Sequence, residues 1–524
     1  MAVAGSQVAV APLLVPLATA VAVLVVGFSW RLQVGVSVAG VLGYALAVAV
    51  LFDRVAGGGT LVYQVSGWPA PFGITLVADA LSTFMLGLAA TVAVAAVLFS
   101  VRAVDPFGQG LSYHALLHFM LVGVTGSFLT GDLFNLFVWF EVMLMASYVL
   151  VVFYSGPEQT RAALQYVVLN LIGSAVMLLA IGGLYAVTGT LNMADVARRL
   201  ADPGAFGIDP APVLGLSALL FAVFALKAGL VPFHFWVPPA YRAAPPPVAA
   251  VLAGVVKKVG VYAIVRLYFT VFAAAALPVD LPGVSAVAGD SVLAFYGPVV
   301  FVLAAASILL GGVAAVAQDD VEGLLAYSSI GQVGFIVLPL AIGAAVPAVR
   351  QVAVLATLVY TVNHGVAKAL LFLTSGAIFD AVGSVRFSDL GGLAERAPVL
   401  SVCFLVGGLS LVGVPPLVGF LGKLYVFDAL ARGRATLALA VALIGAVLTI
   451  AYVTRAWNRG FWGPPLAGEV DVSREEVAIL VALAVVVVVL GVGAEPLVRA
   501  ADAASAAALD RGAYVSAVLG GGGT

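Results

Sequence analysis

The chain has 524 residues, of which 63% are apolar and only 9% are charged, and its mean hydropathy is +1.18. Water-soluble proteins are about half apolar and about one quarter charged, so this composition excludes a soluble globular protein and indicates an integral membrane protein. A net charge of −2 offers no basic surface, which excludes nucleic acid as a partner. The single cysteine, Cys403, excludes a disulfide within the chain and a redox cluster held by several thiolates.

Apolar stretches long enough to cross a bilayer, which takes ~20 residues each, follow one another along the chain. Their approximate cores are 8–29, 34–52, 79–100, 112–129, 133–154, 164–187, 212–236, 245–271, 293–316, 322–343, 350–379, 398–430, 435–461 and 477–497. Helices are favoured because backbone groups cannot stay unpaired in lipid, and because the period-two alternation typical of a membrane barrel is absent. The sequence therefore predicts an all-α polytopic protein in the lipid bilayer, with about 14 transmembrane helices.

The polar segments between these stretches are short, and none is long enough for a soluble domain. The longest are 188–211, 272–292 and 462–476, and a tail with a Gly-rich end follows residue 498. Nine arginines lie in the odd-numbered loops and six in the even-numbered loops. Since cytoplasmic loops carry the excess of positive charge, the odd-numbered loops are predicted to be cytoplasmic and both termini to lie on the outer face.

Three of the stretches contain residues that interrupt helices. These are Pro232, Pro238 and Pro239 at the end of 212–236, Gly365 and Gly376 in 350–379, and Gly413, Pro415, Pro416, Gly419 and Gly422 in 398–430. Proline lacks a backbone donor and clashes with the preceding turn, and transporters tolerate broken helices where these line a cavity. A simple kink would explain any one of the three, but lysines near two of them favour a transport path.

All five lysines of the chain fall inside predicted spans. They are Lys227, Lys257, Lys258, Lys368 and Lys423. A charged lysine at the centre of a bilayer costs roughly 2.5–3.5 kcal/mol, so five would cost ~15 kcal/mol, as much as the whole stability of a domain. They must therefore face water, pair with carboxylates or lose their protons. Snorkelling to the headgroups is an alternative for Lys257 or Lys258, and the scatter over four helices excludes a voltage sensor.

Glu141 is the acidic residue placed deepest in a predicted span, in the run NLFVWFEVMLMASYVLVVF. It lies too far from either end of the span to cap a helix, which indicates a pairing or proton-carrying role. Asp79 and Asp132 stand at the starts of their spans, where a carboxylate that caps the helix N-terminus is the simpler interpretation.

Histidines extend this set of titratable groups. His364 and Lys368 are four residues apart on one helix face and can share a cavity. His234 follows the proline break, and an imidazole titrates near neutral pH, where it can relay protons. His114 and His118 have the same spacing, which suits either a structural role or two ligands of a metal, but no third ligand is evident. The arrangement as a whole predicts a proton pathway across the membrane.

Five segments of the chain form a recognisable set. They are LTGDLFNLFVWFEVMLMASYVLV (129–151), FALKAGLVPFHFWVPPAYRAAPPPVAAVLAGVVKKVGVYAIVR (224–266), LLAYSSIGQVGF (324–335), NHGVAKALLFLTSGAI (363–378) and GVPPLVGFLGK (413–423). In the same order, these segments resemble the antiporter-like subunits shared by respiratory complex I and the Mrp multisubunit Na⁺/H⁺ antiporters. The TGDLFN…FEV motif and the AYRAAPPPVAA turn look most like those of the D subunits of Mrp antiporters. Complex I subunits usually carry an acidic or histidine-bearing version of that turn.

The resemblance implies a fourteen-helix transporter with two inverted five-helix repeats and broken seventh and twelfth helices. It divides the chain into four parts, which are N-terminal helices 1–3 (residues 1–110), a first repeat of helices 4–8 (111–271), a second repeat of helices 9–13 (272–461) and a last helix with the tail (462–524).

The resemblance also implies roles for single residues. Glu141 corresponds to the fifth-helix glutamate and Lys227 to the seventh-helix lysine that pairs with it. Lys258 falls on the central eighth-helix lysine, whereas Lys257 is an extra cation off the motif. The remaining positions of the implied proton relay are His364, Lys423, His234 and Lys368.

These observations predict a proton-translocating subunit of a multisubunit Na⁺/H⁺ antiporter in a prokaryotic plasma membrane, assembled with other membrane subunits. No cofactor is expected, and the transported ions are H⁺ and Na⁺. The alternative is a proton-pumping subunit of complex I or of a related hydrogenase or F420-type dehydrogenase. No residue in the chain could hold a redox centre, so enzyme activity would belong to the assembly. A third interpretation is a structural scaffold subunit with an inactive pathway.

Overall fold

The computed structural model describes residues 7–275, 291–463 and 470–520. Most of the predicted polar segment 272–292, part of the segment 462–476 and the Gly-rich end of the tail lie outside the described residues.

Helices make up nearly all of the described chain. They are α1 (Ala11–Val25), α2 (Trp30–Gly58), α3 (Ala80–Ala103), α4 (His114–Leu129), α5 (Leu133–Val151), α6 (Pro157–Thr188), α7a (Ala211–Ala228), α7b (Val237–Ala243), α8 (Pro246–Ala274), α9 (Val292–Val316), α10 (Val321–Ala345), α11 (Arg350–Val382), α12a (Pro398–Val412), α12b (Val418–Arg432), α13 (Thr436–Ala456) and α14 (Arg474–Val492). Twelve helices of the described ranges are long and apolar enough to cross a membrane, so the predicted all-α polytopic fold is confirmed, whereas the count of fourteen is not.

Two of the three predicted helix breaks are present. Helix α7a ends before Gly229, whose φ of +72° takes the chain out of the helix. Helix α12a ends before Gly413, with a φ of +90°, and α12b begins five residues later at Val418. Glycine adopts such left-handed backbone conformations without steric cost. The break expected at Gly365 and Gly376 is wrong, because α11 continues through both residues.

Helix α8 carries an irregularity that the sequence pattern did not reveal. Its residues Leu252–Val256 and Val265–Val271 form π-helical turns, and residues 247–272 are all buried in the described structure. A π turn accommodates an extra residue and changes the direction of the side chains that follow. Lys257 and Lys258 come directly after the first of these turns.

The helices α4–α8 and α9–α13 follow the same plan, and the fourth helix of each set is the broken one. Each second helix begins at an aspartate cap, with Asp132 accepting from the backbone of Asn135 and Asp320 from that of Gly323. Each cap residue also forms an isolated antiparallel bridge to the chain that follows the third helix. Five helices are an odd number, so the second set runs inverted relative to the first. The exact boundaries of the two repeats stay a prediction.

Several smaller elements lie outside the predicted spans. Leu61–Gln64 and Thr75–Ala78 form a two-stranded antiparallel sheet between α2 and α3. The segment 188–211 contains an amphipathic helix, Met193–Ala201. The tail forms two further helices, Ala494–Leu509 and Arg511–Leu519. These elements are short or mixed in polarity, so a search for long apolar stretches passes over them.

Asp79 caps α3 as predicted and also takes part in a buried ion pair that was not predicted. Its carboxylate accepts from the backbone N–H of Ser82 at 2.9 Å, and Nη2 of Arg266 lies 2.5 Å from its other oxygen. Both side chains are buried, and the guanidinium lies 4.9 Å from the ring centroid of Tyr514 in the last described helix. The pair therefore joins α3, α8 and the C-terminal helix.

We expect Asp79→Asn to lower the free energy of unfolding by about 3 kcal/mol, because it leaves the Arg266 charge buried without its carboxylate. Asp132→Asn is the matched control, since Asp132 caps α5 without an ion pair in the described structure and asparagine caps a helix as well as aspartate. Thermal unfolding of the purified protein in detergent measures both variants. An equal loss of unfolding free energy in the two variants would contradict a stabilising role for the ion pair.

Candidate functional site

The five lysines lie inside the helix bundle, and none is more than 5% exposed. The amines of Lys257 and Lys258 contact atoms of the neighbouring helices α10 and α11, which excludes the snorkelling alternative for these two lysines. The lysines come from α7a, α8, α11 and α12b, so the two broken helices and two of the most buried helices supply them.

Lys258 and His364 are in direct contact across the two sets of helices. Nζ of Lys258 on α8 lies 2.6 Å from Nδ1 of His364 on α11. The same amine donates to the carbonyl of Ala253, in the first π turn of α8. Nε2 of His364 is buried and has no hydrogen-bond partner in the described structure. Nζ of Lys258 and Nδ1 of His364 are close enough for a proton to pass between them, and Nε2 of His364 is available to pass a proton on. This arrangement suits proton transfer.

A close approach of the two helices produces this contact. A Cβ atom at Gly365 would lie 2.9 Å from the carbonyl oxygen of Gly254, and a Cβ atom at Gly254 would lie 3.1 Å from that of Gly365. The backbones of α8 and α11 therefore meet where neither carries a side chain. Gly365 permits this crossing without interrupting its own helix.

Lys227 occupies an aromatic pocket at the end of α7a. Its amine donates to the hydroxyl of Tyr166 at 3.3 Å. It lies 6.0, 5.7 and 5.8 Å from the ring centroids of Phe140, Tyr166 and Trp236. Ring faces attract a cation by their quadrupole, so the pocket accepts the protonated amine. Tyr166 in turn lies 3.0 Å from the hydroxyl of Ser147.

Glu141 lies on α5, at a groove in the side of the bundle. Its carboxylate accepts a hydrogen bond from the hydroxyl of Ser174 on α6. The groove has a volume of about 540 Å³ and apolar walls that include Phe119 and Met145. The direct pairing expected between Glu141 and Lys227 is not formed, because the described ion pairs, with N···O up to 4.0 Å, do not include it. Each group has a hydroxyl partner instead.

Lys368 binds helix α10. Its amine donates to the carbonyl of Leu325 at 2.8 Å and to the hydroxyl of Ser328 at 2.6 Å. His364 lies one turn earlier on α11, so the predicted placement of both residues on one helix face holds.

Lys423 lies at the second helix break. Its amine donates to the carbonyl of Val412 at 3.0 Å, where α12a ends, and lies 5.0 Å from the ring centroid of Phe335. The carbonyls in the last turn of a helix have no intrahelical partner, so the lysine satisfies one of them. At both helix breaks a lysine amine therefore lies near the end of the first half-helix: Lys227 belongs to the last turn of α7a, and Lys423 reaches the end of α12a from α12b.

His234 lies in a short helical turn after the first break, Phe233–Trp236, and is 7% exposed. It borders a polar cleft of about 590 Å³. The other polar residues of this cleft are Glu158, Gln159, Arg161, Gln165, Arg242, Gln318 and Tyr327. The structure therefore places His234 next to a polar opening.

His114 and His118 are both buried on α4. Nε2 of His118 lies 3.0 Å from the hydroxyl of Ser37 on α2. The described ranges contain no group of three or more side chains that could hold a metal ion. The contact with α2 therefore favours the structural role over the metal site.

Several uncharged polar side chains of the site were not predicted from the sequence. On the first repeat they are Ser147, Tyr166 and Ser174. On the second, Gln332 of α10 donates to Tyr452 at 2.8 Å and accepts from Tyr360. Serine and tyrosine are common in membrane helices and often satisfy themselves locally, so they give little signal. A glutamine inside an apolar span is costly to leave unpaired and could have been singled out.

Three comparisons with known proteins show what the chain is similar to. Residues 130–449 match the family described as NADH:quinone oxidoreductase/Mrp antiporter, transmembrane. The D subunit of the Na⁺/H⁺ antiporter of Alkalihalophilus pseudofirmus is 33% identical over 98% of this chain and 99% of its own length. The N subunit of the NADH-quinone oxidoreductase of Desulforudis audaxviator is 35% identical over 91% of this chain and 94% of its own.

The fold agrees with a solved structure over the same extent. A chain in the structure of the Mrp complex from Dietzia sp. superposes with a TM-score of 0.85, at 27% identity, and the match covers 98% of this chain and 99% of that chain. The protein is therefore a multi-pass membrane protein that belongs to the NADH:quinone oxidoreductase/Mrp antiporter family.

Proposed function

We propose that this chain is the proton-translocating subunit of a multisubunit Na⁺/H⁺ antiporter. The observation that carries the proposal is the 2.6 Å contact between Lys258 and His364, which joins the two sets of helices deep in the bundle. The similarity to the D subunit of a Na⁺/H⁺ antiporter over nearly the whole length of both proteins supports the antiporter assignment.

The proposed relay consists of the titratable groups predicted from the sequence. They are Glu141, Lys227, Lys258, His364 and Lys423, with His234 and Lys368 beside them. A proton on Lys258 that moves to Nδ1 of His364 carries positive charge from α8 to α11. The unpartnered Nε2 of His364 then releases its own proton toward the next acceptor. The side chains perform these steps through water and hydroxyl groups, and no cofactor takes part.

Coupling to the cation follows from the interaction of charges inside the membrane. An opposite charge nearby favours the ionised form of a group and a like charge disfavours it. If Glu141 moves toward or away from Lys227, the proton affinity of the lysine changes. The altered charge on Lys227 then changes the proton affinity of Lys258, and so of the later groups in the relay. A Na⁺ ion crossing in the opposite direction would compensate the transported charge.

The surroundings of the relay support an assembly with other membrane subunits. Glu141 lies at an apolar groove on the side of the bundle, where a neighbouring transmembrane subunit would exclude lipid from the carboxylate. The similarity to bacterial relatives supports a prokaryotic plasma membrane. The distribution of arginines supports cytoplasmic odd-numbered loops and both termini on the outer face. The segments 111–271 and 272–461 are proposed as the two repeats.

A subunit of a respiratory complex is the second candidate. Its support is the 35% identity to the N subunit of an NADH-quinone oxidoreductase. In that case the same relay would move protons in response to electron transfer in another subunit.

Inside-out membrane vesicles that contain the whole complex distinguish the two candidates. We expect Na⁺ addition to move protons across the vesicle membrane, measured with a pH-sensitive dye, without an electron donor. Proton movement that requires NADH and ignores Na⁺ would overturn the antiporter assignment in favour of the respiratory one. Vesicles that move protons under neither condition would overturn both.

The close packing of α8 and α11 leads to a prediction for the same assay. Gly365→Ala places a Cβ atom against the Gly254 carbonyl, pushes the helices apart and lengthens the Lys258–His364 contact. Small displacements of reacting groups cost up to about 100-fold in rate, and we expect at least about tenfold slower transport. Gly182→Ala is the matched control, since a Cβ atom there meets no other atom within 4 Å. Unchanged transport in Gly365→Ala would show that the contact does not limit proton movement.

A further inference from the structure

Lys257 is a buried lysine that the proposed relay does not use. It is fully buried on α8, and its amine lies 3.4 Å from the carbonyl oxygen of Ser329 on α10. It also lies 5.9 Å from the ring centroid of Tyr241 on α7b. Both contacts are long, and the described ion pairs do not include this lysine. The amine is therefore held weakly and is free to change partners.

On one side the amine meets the first helix break. A Cβ atom at Gly229 would lie 3.1 Å from Nζ of Lys257. Gly229 comes two residues after Lys227, and the same break leads to His234 and its polar cleft. Because Gly229 has no side chain, the amine of Lys257 can occupy this space. Lys257 therefore contacts the break in the helix directly.

On the other side the amine meets the turn of α10 that binds Lys368. Lys368 donates to Leu325 and Ser328, and Lys257 approaches the carbonyl of the next residue, Ser329. The two lysines reach this turn from α8 and α11. Lys257 therefore lies between the break of the first repeat and a titratable lysine of the second.

The charges around Lys257 do not suit a permanent cation. Apart from Tyr241, the titratable groups that face it are Lys258 on its own helix, Lys368 and His364 on α11, and His234 beyond the break. These lysines and histidines are all positive when protonated. A fixed ammonium group in this position would be both desolvated and repelled, whereas an amine that gains and loses a proton avoids most of that cost.

We infer that Lys257 is a further proton carrier, which links the helix break at Gly229 to Lys368. This inference rests on the proposed proton transport. The neutral amine takes a proton that arrives through water at the break. It then donates this proton toward the neutral amine of Lys368, by way of the hydroxyl of Ser328, and returns to its neutral form.

Three substitutions in the whole complex test this role by the vesicle assay. Lys257→Met removes the titratable group, and Lys257→Arg keeps a cation that does not release its proton. Because a positioned proton carrier contributes about 100-fold or more in rate, both variants are expected to lose transport by about that factor. Lys257→His restores a titratable group and is expected to recover part of the rate. Thr361→Val, which alters a buried hydroxyl on α11 outside the relay, is expected to transport normally.

Each other outcome overturns the inference. Normal transport in Lys257→Met, with transport lost in Lys258→Ala, would remove Lys257 from the pathway and leave the proposed function intact. Normal transport in both variants would contradict the proposed function itself. Full activity in Lys257→Arg would make Lys257 a fixed charge. Failure of all three Lys257 variants to assemble, judged by co-purification of the subunits, would assign the residue to folding.

Discussion

Lys258→Ala is expected to reduce Na⁺-driven proton movement by about 100-fold or more, while the complex still assembles. Lys258 makes the contact with His364 through which a proton would pass from α8 to α11. Alanine removes that contact and leaves a cavity that water can enter. Helices α8 and α11 also pack directly against each other at Gly254 and Gly365, so we expect them to stay together without the amine.

Lys258→Arg separates the need for a proton carrier from the need for a positive charge. Arginine remains protonated inside proteins, so this variant is expected to transport no better than Lys258→Ala. His364→Ala is expected to reduce transport to the same extent as the two Lys258 variants, since it removes the other side chain of the contact. Co-purification of the remaining subunits measures assembly. Transport in Lys258→Ala at the wild-type rate, with normal assembly, would exclude the relay.

The spans and the buried lysines were predictable because they follow from the cost of placing groups in lipid. A stretch of about 20 apolar residues is typical of a buried or membrane helix. Most helices begin and end within a few residues of the predicted stretches, whereas α2 ends six residues later and α6 begins seven residues earlier than predicted. A charged lysine in such a stretch needs a partner or a cavity wherever the fold places it. The breaks predicted at Pro232 and around Gly413 follow from the local preferences of proline and glycine in the same way, although the structure begins the first break three residues earlier, at Gly229.

The contacts within the site were not predictable, since they depend on which helices meet. Gly365 looks like a helix breaker in the sequence, and only the facing Gly254 shows that it serves close packing. Arg266 is a costly cation in an apolar span and could have been singled out, but its partner Asp79 is 187 residues away. The π turn before Lys257 has no periodic signal of its own, and it decides where the two adjacent lysines point.

The relation between Glu141 and Lys227 leads to the second large effect. The two groups have separate hydroxyl partners, Ser174 and Tyr166. The family resemblance implies that the two groups pair in another state of the transport cycle. Transport would then require both Glu141 and Lys227. Glu141→Gln and Lys227→Met are then each expected to slow transport by about 100-fold.

The double variant Glu141→Gln/Lys227→Met decides between a pair and two independent groups. Residues that act as a unit give strongly non-additive effects, so the double variant is expected to be about as slow as either single one. Independent groups would multiply their effects to about 10⁴-fold, and transport would become undetectable where both single variants remain measurable. Ser174→Ala is the accompanying control, because it releases the carboxylate from its hydroxyl partner without changing any charge. It should leave transport within about tenfold of wild type, since the lost hydrogen bond is one that Glu141 must break anyway to reach Lys227.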